Sequence, residues 1–186
     1  MISKKKAISW SFINKFAPEL VNFFVAIIVS RIIGAYDFGN LSIILIILGF
    51  SNLLIDFGLG EVIINKKDSQ NENLYNSIFW FQFFVSIILF ILYFLLSNAI
   101  SIIFNSPDLI PLIKISSINL VLAFLYAIPY NIMIKNLEFS KISLINFIST
   151  LVSAFFVIYF TLRGYGLYAI IYRQIIIHIL NTFLFY

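Results

Sequence analysis

The chain has 186 residues, of which 62% are hydrophobic and 11% charged, and its mean hydropathy is +1.04. So few polar side chains cannot cover a water-soluble globule of this size, which excludes a soluble enzyme and a soluble nucleic-acid-binding domain. The chain contains no cysteine, which excludes disulfides and thiolate metal sites, and the net charge of +4 falls in short clusters between apolar runs. The sequence predicts no cofactor, metal or nucleic-acid partner.

Six apolar stretches follow one another along the chain, and each is long enough to cross roughly 30 Å of hydrocarbon as a helix. We expect these helices at about residues 8–34, 41–64, 76–97, 109–133, 142–162 and 167–186. The short connectors hold the turn-forming residues and most of the charge. The sequence therefore predicts an all-α, polytopic membrane protein in which residues 1–186 form a single lobe of six transmembrane helices.

The basic residues are unequally divided between the two sides of the expected membrane. One side has Lys4, Lys5, Lys6, Lys66, Lys67, Lys135 and Lys141, and the other has Arg31, Lys114 and Arg163. Because basic residues accumulate in cytoplasmic loops, both termini are expected in the cytoplasm. The first helix is expected to stay uncleaved, since Lys15 and Glu19 interrupt its apolar run.

The first predicted helix carries a stripe of small and polar residues. At 100° per residue, the side chains within about 60° of Lys15 are Ser11, Pro18, Glu19, Asn22, Ala26 and Ser30. Lys15 and Glu19 are four residues apart and can pair with each other. This pair either forms an internal bridge near the interface or lines a hydrated cavity that meets an anionic ligand. Asn22 on the same face favours the cavity.

The second predicted helix repeats this pattern. Its polar side holds Ser42, Gly49, Asn52, Asp56 and Gly60. A lone carboxylate within a spanning segment is costly unless it pairs, protonates or meets water. We expect Asp56 to pair with Lys15 or to bind a coupling ion, and the alternative is that Asp56 is simply solvated at the cytoplasmic end.

The last two predicted helices have weaker polar faces. They hold Ser143, Asn146, Thr150 and Ser153 on helix five, and Gln174, His178 and Asn181 on helix six. Such residues more often form interhelical hydrogen bonds than bind substrate. Arg173 either faces inward, where it can hold a pyrophosphate or carboxylate, or extends to the outer interface. The predicted cavity residues are therefore Lys15, Glu19, Asn22, Asn52, Asp56 and Arg173.

Four short motifs resemble a known family. They are Trp10-Ser11-Phe12; Ser30-Arg31-Ile32-Ile33-Gly34-Ala35-Tyr36-Asp37-Phe38-Gly39, similar to A-R-L-L-G-P-x-D-F-G; Asp56-Phe57-Gly58-Leu59-Gly60 with Ile64-Asn65-Lys66-Lys67-Asp68; and Asn136-Leu137-Glu138-Phe139, similar to R-x-L-x-F. In this order and spacing they resemble the N-terminal half of the polysaccharide-export flippases, the oligosaccharide branch of the multidrug/oligosaccharidyl-lipid/polysaccharide exporter superfamily. The resemblance covers about residues 7–185.

This resemblance implies one lobe of a two-lobe flippase in the bacterial inner membrane. The implied cargo is an undecaprenyl-pyrophosphate-linked oligosaccharide for surface polysaccharide, held in a cationic cavity that Lys15 and Arg173 would suit. The resemblance also implies coupling to H+ or Na+, for which Asp56 and Glu19 are the candidates. We expect the chain to be a fragment, a truncated product or a half-size subunit, so that a second lobe or a homodimer partner completes the cavity.

Three other functions compete with this one. A drug or cation exporter of the same superfamily should have an acidic, aromatic cavity. A polyprenyl-linked glycosyltransferase or polymerase needs large extramembrane loops, whereas the longest connector here has about eleven residues, so an enzyme is not expected. A non-transporting membrane remnant or interaction protein stays open.

Overall fold

The computed structural model describes the backbone of residues 4–65 and 72–186, and side chains from Phe16 onward within those ranges except that of residue 17. Every regular element in these ranges is a helix, which confirms the predicted all-α class. The helices are α1 (Lys4–Ile32), α2 (Ala35–Asp56), α3 (Leu59–Asn65), α4 (Glu72–Ile103), α5 (Leu109–Ser116), α6 (Ile118–Ala123), α7 (Ala127–Lys135), α8 (Phe139–Leu162) and α9 (Leu167–Phe185).

Several of these helices can span a membrane. In the described part of the chain, α2, α4, α8 and α9 are each long and apolar enough, and the segment Leu109–Ala123 makes a fifth candidate span with α7. Phenylalanine, leucine and isoleucine side chains are widely exposed on these helices, as lipid-facing surfaces require. The chain is therefore a multi-pass membrane protein, and the expected number of six spans stays a prediction.

The second predicted helix differs from the structure at both of its ends. Helix α2 begins at Ala35, six residues before the expected start, and ends at Asp56 instead of continuing to residue 64. Phe57 and Gly58 have φ values of 42° and 77°, a left-handed conformation in which the N–H of Phe57 bonds to the carbonyl of Leu53. This conformation ends α2, and the short helix α3 begins at Leu59.

The fourth predicted helix, at residues 109–133, is broken into α5, α6 and α7. Its axis bends by 43° between Leu109–Ala123 and Ala127–Lys135. Pro129 has no N–H to donate to the carbonyl of Leu125, as a continuous helix would require. The hydroxyl of Tyr186 donates to that carbonyl instead, at 3.1 Å. The break is thus held from outside by the end of α9.

Much of the buried apolar core lies toward one end of the helix array. These members come from the ends of α1 and α8 and from the first turns of α2, α5 and α9, and include Val29, Ile33, Leu41, Ile44, Leu109, Leu112, Ile113, Val157, Leu167 and Ala169. The core continues along the helices to Leu48, Leu120, Ile55 and Phe124. The same end is tied by the Tyr36 hydroxyl, which lies 2.7 Å from Ser106 Oγ. We call this the closed end, and the opposite end, which carries the turn between α7 and α8, the open end.

Candidate substrate cavity

A wide chamber with a volume of about 540 Å³ lies toward the open end. It is lined from α2, α3, α4, α6, α7, α8 and α9, mainly by polar and aromatic side chains: Asn52, Asp56, Glu61, Gln82, Phe124, Tyr126, Tyr130, Asn131, Asn146, His178 and Asn181. Helices that run in opposite directions contribute their open-end halves, which places these residues at one level of the bundle.

A deeper pocket of about 340 Å³ adjoins the chamber, because both are lined by Asn52 and His178. Its walls include Gly49 of α2, Asn119 and Leu120 of α6, and Gln174 of α9. These residues lie near the middle of their spans. The two spaces together, here called the central cavity, carry polar groups from the open end to about the middle of the bundle.

Helical spacing explains why these side chains converge. Asn52 and Asp56 are four residues apart on α2, and Gln174 and His178 are four apart on α9, so each pair shares a helix face. Neighbouring residues on the same helices point elsewhere: Ser51 is buried and lies 2.9 Å from the Tyr93 hydroxyl of α4. The predicted polar faces of helices two and six therefore meet in space.

Asp56 has a local structural role as well as a place on the cavity wall. Its Oδ1 accepts a hydrogen bond from the backbone N–H of Gly60 at 3.2 Å, across the break between α2 and α3. A carboxylate there satisfies one of the unpaired N–H groups at the start of α3. Asp56 is nevertheless exposed, so its remaining oxygen lone pairs are available to water or a ligand in the chamber.

Tyr126 stands at the bend between α6 and α7 and is enclosed by two rings of α9. It stacks on His178 with ring centroids 5.9 Å apart and on Phe185 with centroids 5.7 Å apart. Its hydroxyl lies 3.3 Å from Nδ1 of His178. The aromatic wall of the chamber is therefore built on α9, and the position of α9 sets the geometry of the bend.

Three side chains in the walls of the central cavity have a buried amide oxygen without a hydrogen-bond donor from the described residues. The three atoms are Oε1 of Gln82, Oδ1 of Asn119 and Oδ1 of Asn181, and these residues are 2%, 3% and 5% exposed. The amide nitrogen of Asn119 donates to the carbonyl of Ser116 at 3.0 Å, which fixes the orientation of this side chain. A buried acceptor without a donor is costly, and all three oxygens are enclosed by protein atoms, so a donor can reach them only if the cavity wall shifts.

A family model described as "Polysaccharide biosynthesis protein" matches residues 28–186. The chain belongs to this polysaccharide biosynthesis family. The match extends from the end of α1 through α9 and includes every described residue that lines the central cavity.

Three curated proteins illustrate the relationship. The chain is 36% identical over 141 residues to the lipopolysaccharide biosynthesis protein WzxC of Escherichia coli (strain K12), covering 69% of this chain and 27% of that protein. It is 32% identical over 96 residues to an uncharacterized membrane protein in the cps region of Klebsiella pneumoniae, covering 52% and 20%. It is 20% identical over 164 residues to the succinoglycan biosynthesis transport protein ExoT of Rhizobium meliloti (strain 1021), covering 88% and 33%.

The chain thus spans a third or less of the length of these relatives. No solved structure matches it. Membership in the family confirms the resemblance seen in the sequence motifs, while the activity of a complete family member is a matter for proposal.

The structure brings only some of the predicted site residues together. Asn52 and Asp56 line the central cavity, but Glu19 and Asn22 line a separate groove of about 480 Å³ on α1, with Phe16, Leu20, Phe23 and Ala26. Lys15 has its side chain outside the described residues, so its pairing with Glu19 or Asp56 stays a prediction.

Arg173 takes neither of the two positions considered from the sequence. Its Nη2 donates to Oδ1 of Asn22, which joins α9 to α1, and its Nε is buried without a described partner. Arg173 is not among the residues that line the central cavity. The Arg173 side chain is half-buried where α9 meets α1, a contact here called the seam between α1 and α9. It therefore neither reaches the cavity nor stands free at the outer interface.

Several cavity residues were missed by sequence reasoning. Gln82 and Asn119 interrupt apolar runs in the third and fourth predicted helices, and a polar residue in such a run is a signal that could have identified them. Asn131 carries the same signal. Glu61, Tyr126 and Tyr130 reach the chamber only because of the two helix breaks, which the sequence periodicity did not reveal.

Proposed function

We propose that this chain forms one lobe of a flippase that moves an undecaprenyl-pyrophosphate-linked oligosaccharide across the bacterial inner membrane for surface polysaccharide synthesis. The observation that carries the proposal is the central cavity: a polar space that penetrates an otherwise apolar bundle from one end. Membership in the polysaccharide biosynthesis family and the names of WzxC and ExoT support this choice of substrate.

Alternating access is the mechanism that this geometry favours. The lobe presents its polar cavity at the open end, while the apolar core and the Tyr36–Ser106 contact close the other end. A second lobe or a second copy would complete the cavity, so that the sugar headgroup passes inside while the lipid tail stays in the bilayer. The excess of lysine on the side of the open end supports a cytoplasmic location for that end and for both termini.

The proposed roles of the site residues follow their positions. Asn52 and Asp56 would contact the headgroup, and Asp56 is the better candidate for a coupling H+ or Na+ because it lines the chamber. Glu19 is a second candidate for the ion from its groove on α1. Asn22 and Arg173 would act on substrate where α1 meets α9 and not in the central cavity. Lys15 stays a candidate for contact with the anionic part of the substrate, as expected from the sequence.

One observation favours a second function, export of a cation or cationic drug by the same kind of lobe. Among the described residues that line the central cavity there is no Lys or Arg, while Asp56, Glu61 and several aromatic rings are present. That composition departs from the cationic cavity implied by the sequence resemblance. The substrate is therefore the property that the experiment must distinguish.

The test is complementation in the bacterium that carries the gene, with the gene deleted and restored. We expect the Asn52→Ala/Asp56→Ala double variant to insert in the membrane at the wild-type level yet to abolish surface polysaccharide, with lipid-linked oligosaccharide accumulating on the cytoplasmic leaflet. Leu144→Ala, at an exposed position of α8, is the matched control. Normal surface polysaccharide in the deletion strain, combined with new sensitivity to cationic drugs, would support the exporter instead.

A further inference from the structure

Helices α3 and α7 form a pair at the edge of the chamber. Among the described elements α3 packs chiefly against α7, and Gly60 lies against the side-chain amide of Asn131. The pair supplies one part of the chamber wall, and the residues that it contributes are Gly60, Glu61, Ile64, Ala127, Tyr130 and Asn131. The width of the chamber therefore depends on where this pair lies.

Both helices are separated from their neighbours in the chain by breaks in helical conformation. Phe57 and Gly58, with φ values of 42° and 77°, lie between α2 and α3. A bend of 43° around Tyr126 precedes α7, and Leu137, with a φ of 57°, follows it. Such breaks are where a hinge can absorb changes in φ and ψ. The pair can therefore turn relative to α2, α6 and α8 while its own two helices stay intact.

The pair has little anchoring in the interior of the bundle. None of the nine residues of α7 is fully buried. Helix α3 has two buried residues, of which Gly60 lies against α7 and Ile63 alone carries a side chain. Because buried apolar contacts resist local opening, a segment with so few of them can move at a free-energy cost below that of global unfolding.

The end of α9 makes the contacts that hold α7 in place. The ring of Phe185 packs edge-to-face on Tyr130, with centroids 5.5 Å apart, and it stacks on Tyr126 at the bend. The hydroxyl of Tyr186 donates to the carbonyl of Leu125, just before the bend. These three contacts, here called the α9 clasp, come from two adjacent residues, so a small shift of the end of α9 would release them together.

We propose that α3 and α7 are a hinged lid at the open end of the chamber, which moves as one unit about Phe57–Gly58 and Tyr126 and is held in its present position by the α9 clasp. Release of the clasp changes the width of the chamber mouth and leaves the closed end unchanged. The biological meaning of the lid rests on the proposed transport function, because a sugar headgroup would enter past it. The movement itself can be measured without any substrate.

The test measures distances from one fixed point to the lid and to another part of the open end. The chain has no cysteine, so spin labels attach only to introduced cysteines. Ile102→Cys, near the closed end of α4, is the fixed point, Val62→Cys lies on α3 of the lid, and Leu144→Cys lies on α8 outside the lid. All three positions are exposed. Double electron–electron resonance on the protein in phospholipid nanodiscs gives the Val62–Ile102 and Leu144–Ile102 distance distributions.

Loosening the clasp should alter the first of these distributions and leave the second as it is. We expect two Val62–Ile102 distances in the wild type, and Phe185→Ala should raise the ratio of the minor to the major population about three- to tenfold, the effect of losing an aromatic pair. Phe185 contacts Tyr126 and Tyr130, whereas the label is on α3, so a change at Val62 shows that the two helices move together.

Two further variants make the result specific. Phe183→Ala, at an exposed position of α9, should leave both distributions as they are in the wild type. Tyr186→Phe removes only the hydrogen bond to Leu125 and should shift the Val62–Ile102 ratio in the same direction, by about fivefold. It takes the place of Phe185→Ala if that variant fails to fold.

The outcomes also separate the lid from the function that gives it meaning. A Val62–Ile102 distribution that neither Phe185→Ala nor Tyr186→Phe changes would overturn the lid. An equal change in the Leu144–Ile102 distance would overturn it too, because the whole bundle would then have loosened. If the distances behave as expected while deletion of the gene leaves surface polysaccharide unchanged, the lid stands and the transport proposal fails.

Discussion

Gly60 of α3 and Asn131 of α7 approach each other so closely that a Cβ at position 60 would lie 3.0 Å from Asn131 Nδ2. The amide of Asn131 has little freedom to withdraw, because Nδ2 donates to the carbonyl of Ala127 at 2.9 Å. Helix α3 packs chiefly against α7, so this glycine is what lets the two short helices sit together at the edge of the chamber.

Gly60→Ala is therefore expected to destabilise the protein. Overpacking costs about 1–3 kcal/mol, which exceeds the gain of up to about 1 kcal/mol that alanine brings to a helix. The melting temperature in detergent should fall by a few degrees. When Asn131→Ala is already present, Gly60→Ala should raise the melting temperature instead of lowering it, because the obstructing amide has been removed.

Gly49→Ala is the matched control for this cycle. Gly49 is also helical, and nothing lies within 4 Å of the point that a Cβ at this position would occupy. Its replacement should leave the melting temperature unchanged or raise it. Equal stabilisation by Gly49→Ala and Gly60→Ala would show that the α3–α7 contact is looser than the structure indicates.

The end of α9 offers a second prediction, on the aromatic stack at Tyr126. Phe185 is 6% exposed and stacks on Tyr126, whereas Phe183, two residues earlier, is 78% exposed. Phe185→Ala should lower the free energy of unfolding by at least about 1 kcal/mol, which is the worth of an aromatic pair alone. Phe183→Ala should have almost no effect on the free energy of unfolding, because the Phe183 side chain lies on the outer surface of the folded protein. Thermal unfolding of the two proteins side by side provides the measurement, and equal losses would contradict the stack.

The sequence predicts a feature of this structure only where a residue type, or its spacing along the chain, indicates that feature. Asn52 and Asp56, which the sequence places on one polar face, both line the chamber in the structure, because helical periodicity determines which side chains share a face. The break at Phe57 was not predicted, since it depends on a left-handed residue other than glycine. A kink in the fourth predicted helix is expected from Pro129, which removes a helical hydrogen bond, but the contact between the Tyr186 hydroxyl and the carbonyl of Leu125 joins distant parts of the chain and has no signal in the sequence. Those breaks bring Glu61 and Tyr130 to the chamber. Arg173 shows the same limit, because its partner Asn22 lies 151 residues away in the chain.

The seam between α1 and α9 provides a third prediction. Asn22 accepts a hydrogen bond from the Arg173 guanidinium, and no described carboxylate forms an ion pair with that group. Asn22→Ala should therefore cost about 1.5–3 kcal/mol, the range for hydrogen bonds to charged groups. Asn22→Asp should retain or increase stability by pairing with Arg173. Thermal unfolding tests both variants.

Ser30→Ala is the control on the same helix, because the Ser30 hydroxyl bonds within α1 to the carbonyl of Ile27 at 3.0 Å. Its effect should stay within about 0.5 kcal/mol. A loss in Ser30→Ala as large as that in Asn22→Ala would mean that α1 tolerates substitution poorly everywhere, and the hydrogen bond to Arg173 would have no special part in holding α1.

The last prediction concerns the sidedness and wetness of the central cavity. The chain has no cysteine, so single cysteines can be labelled without background. Asn52→Cys lines both parts of the cavity and should react with a charged, membrane-impermeant maleimide, while its neighbour Ser51→Cys, which is fully buried against α4, should not. Reaction is expected from the side where Leu137→Cys, at the open end, is labelled, and not from the side that labels Tyr165→Cys. Because the thiolate that reacts forms only in water, an unreactive Asn52→Cys beside a reactive Leu137→Cys would mean that the cavity is dry, and a dry cavity cannot carry a sugar headgroup.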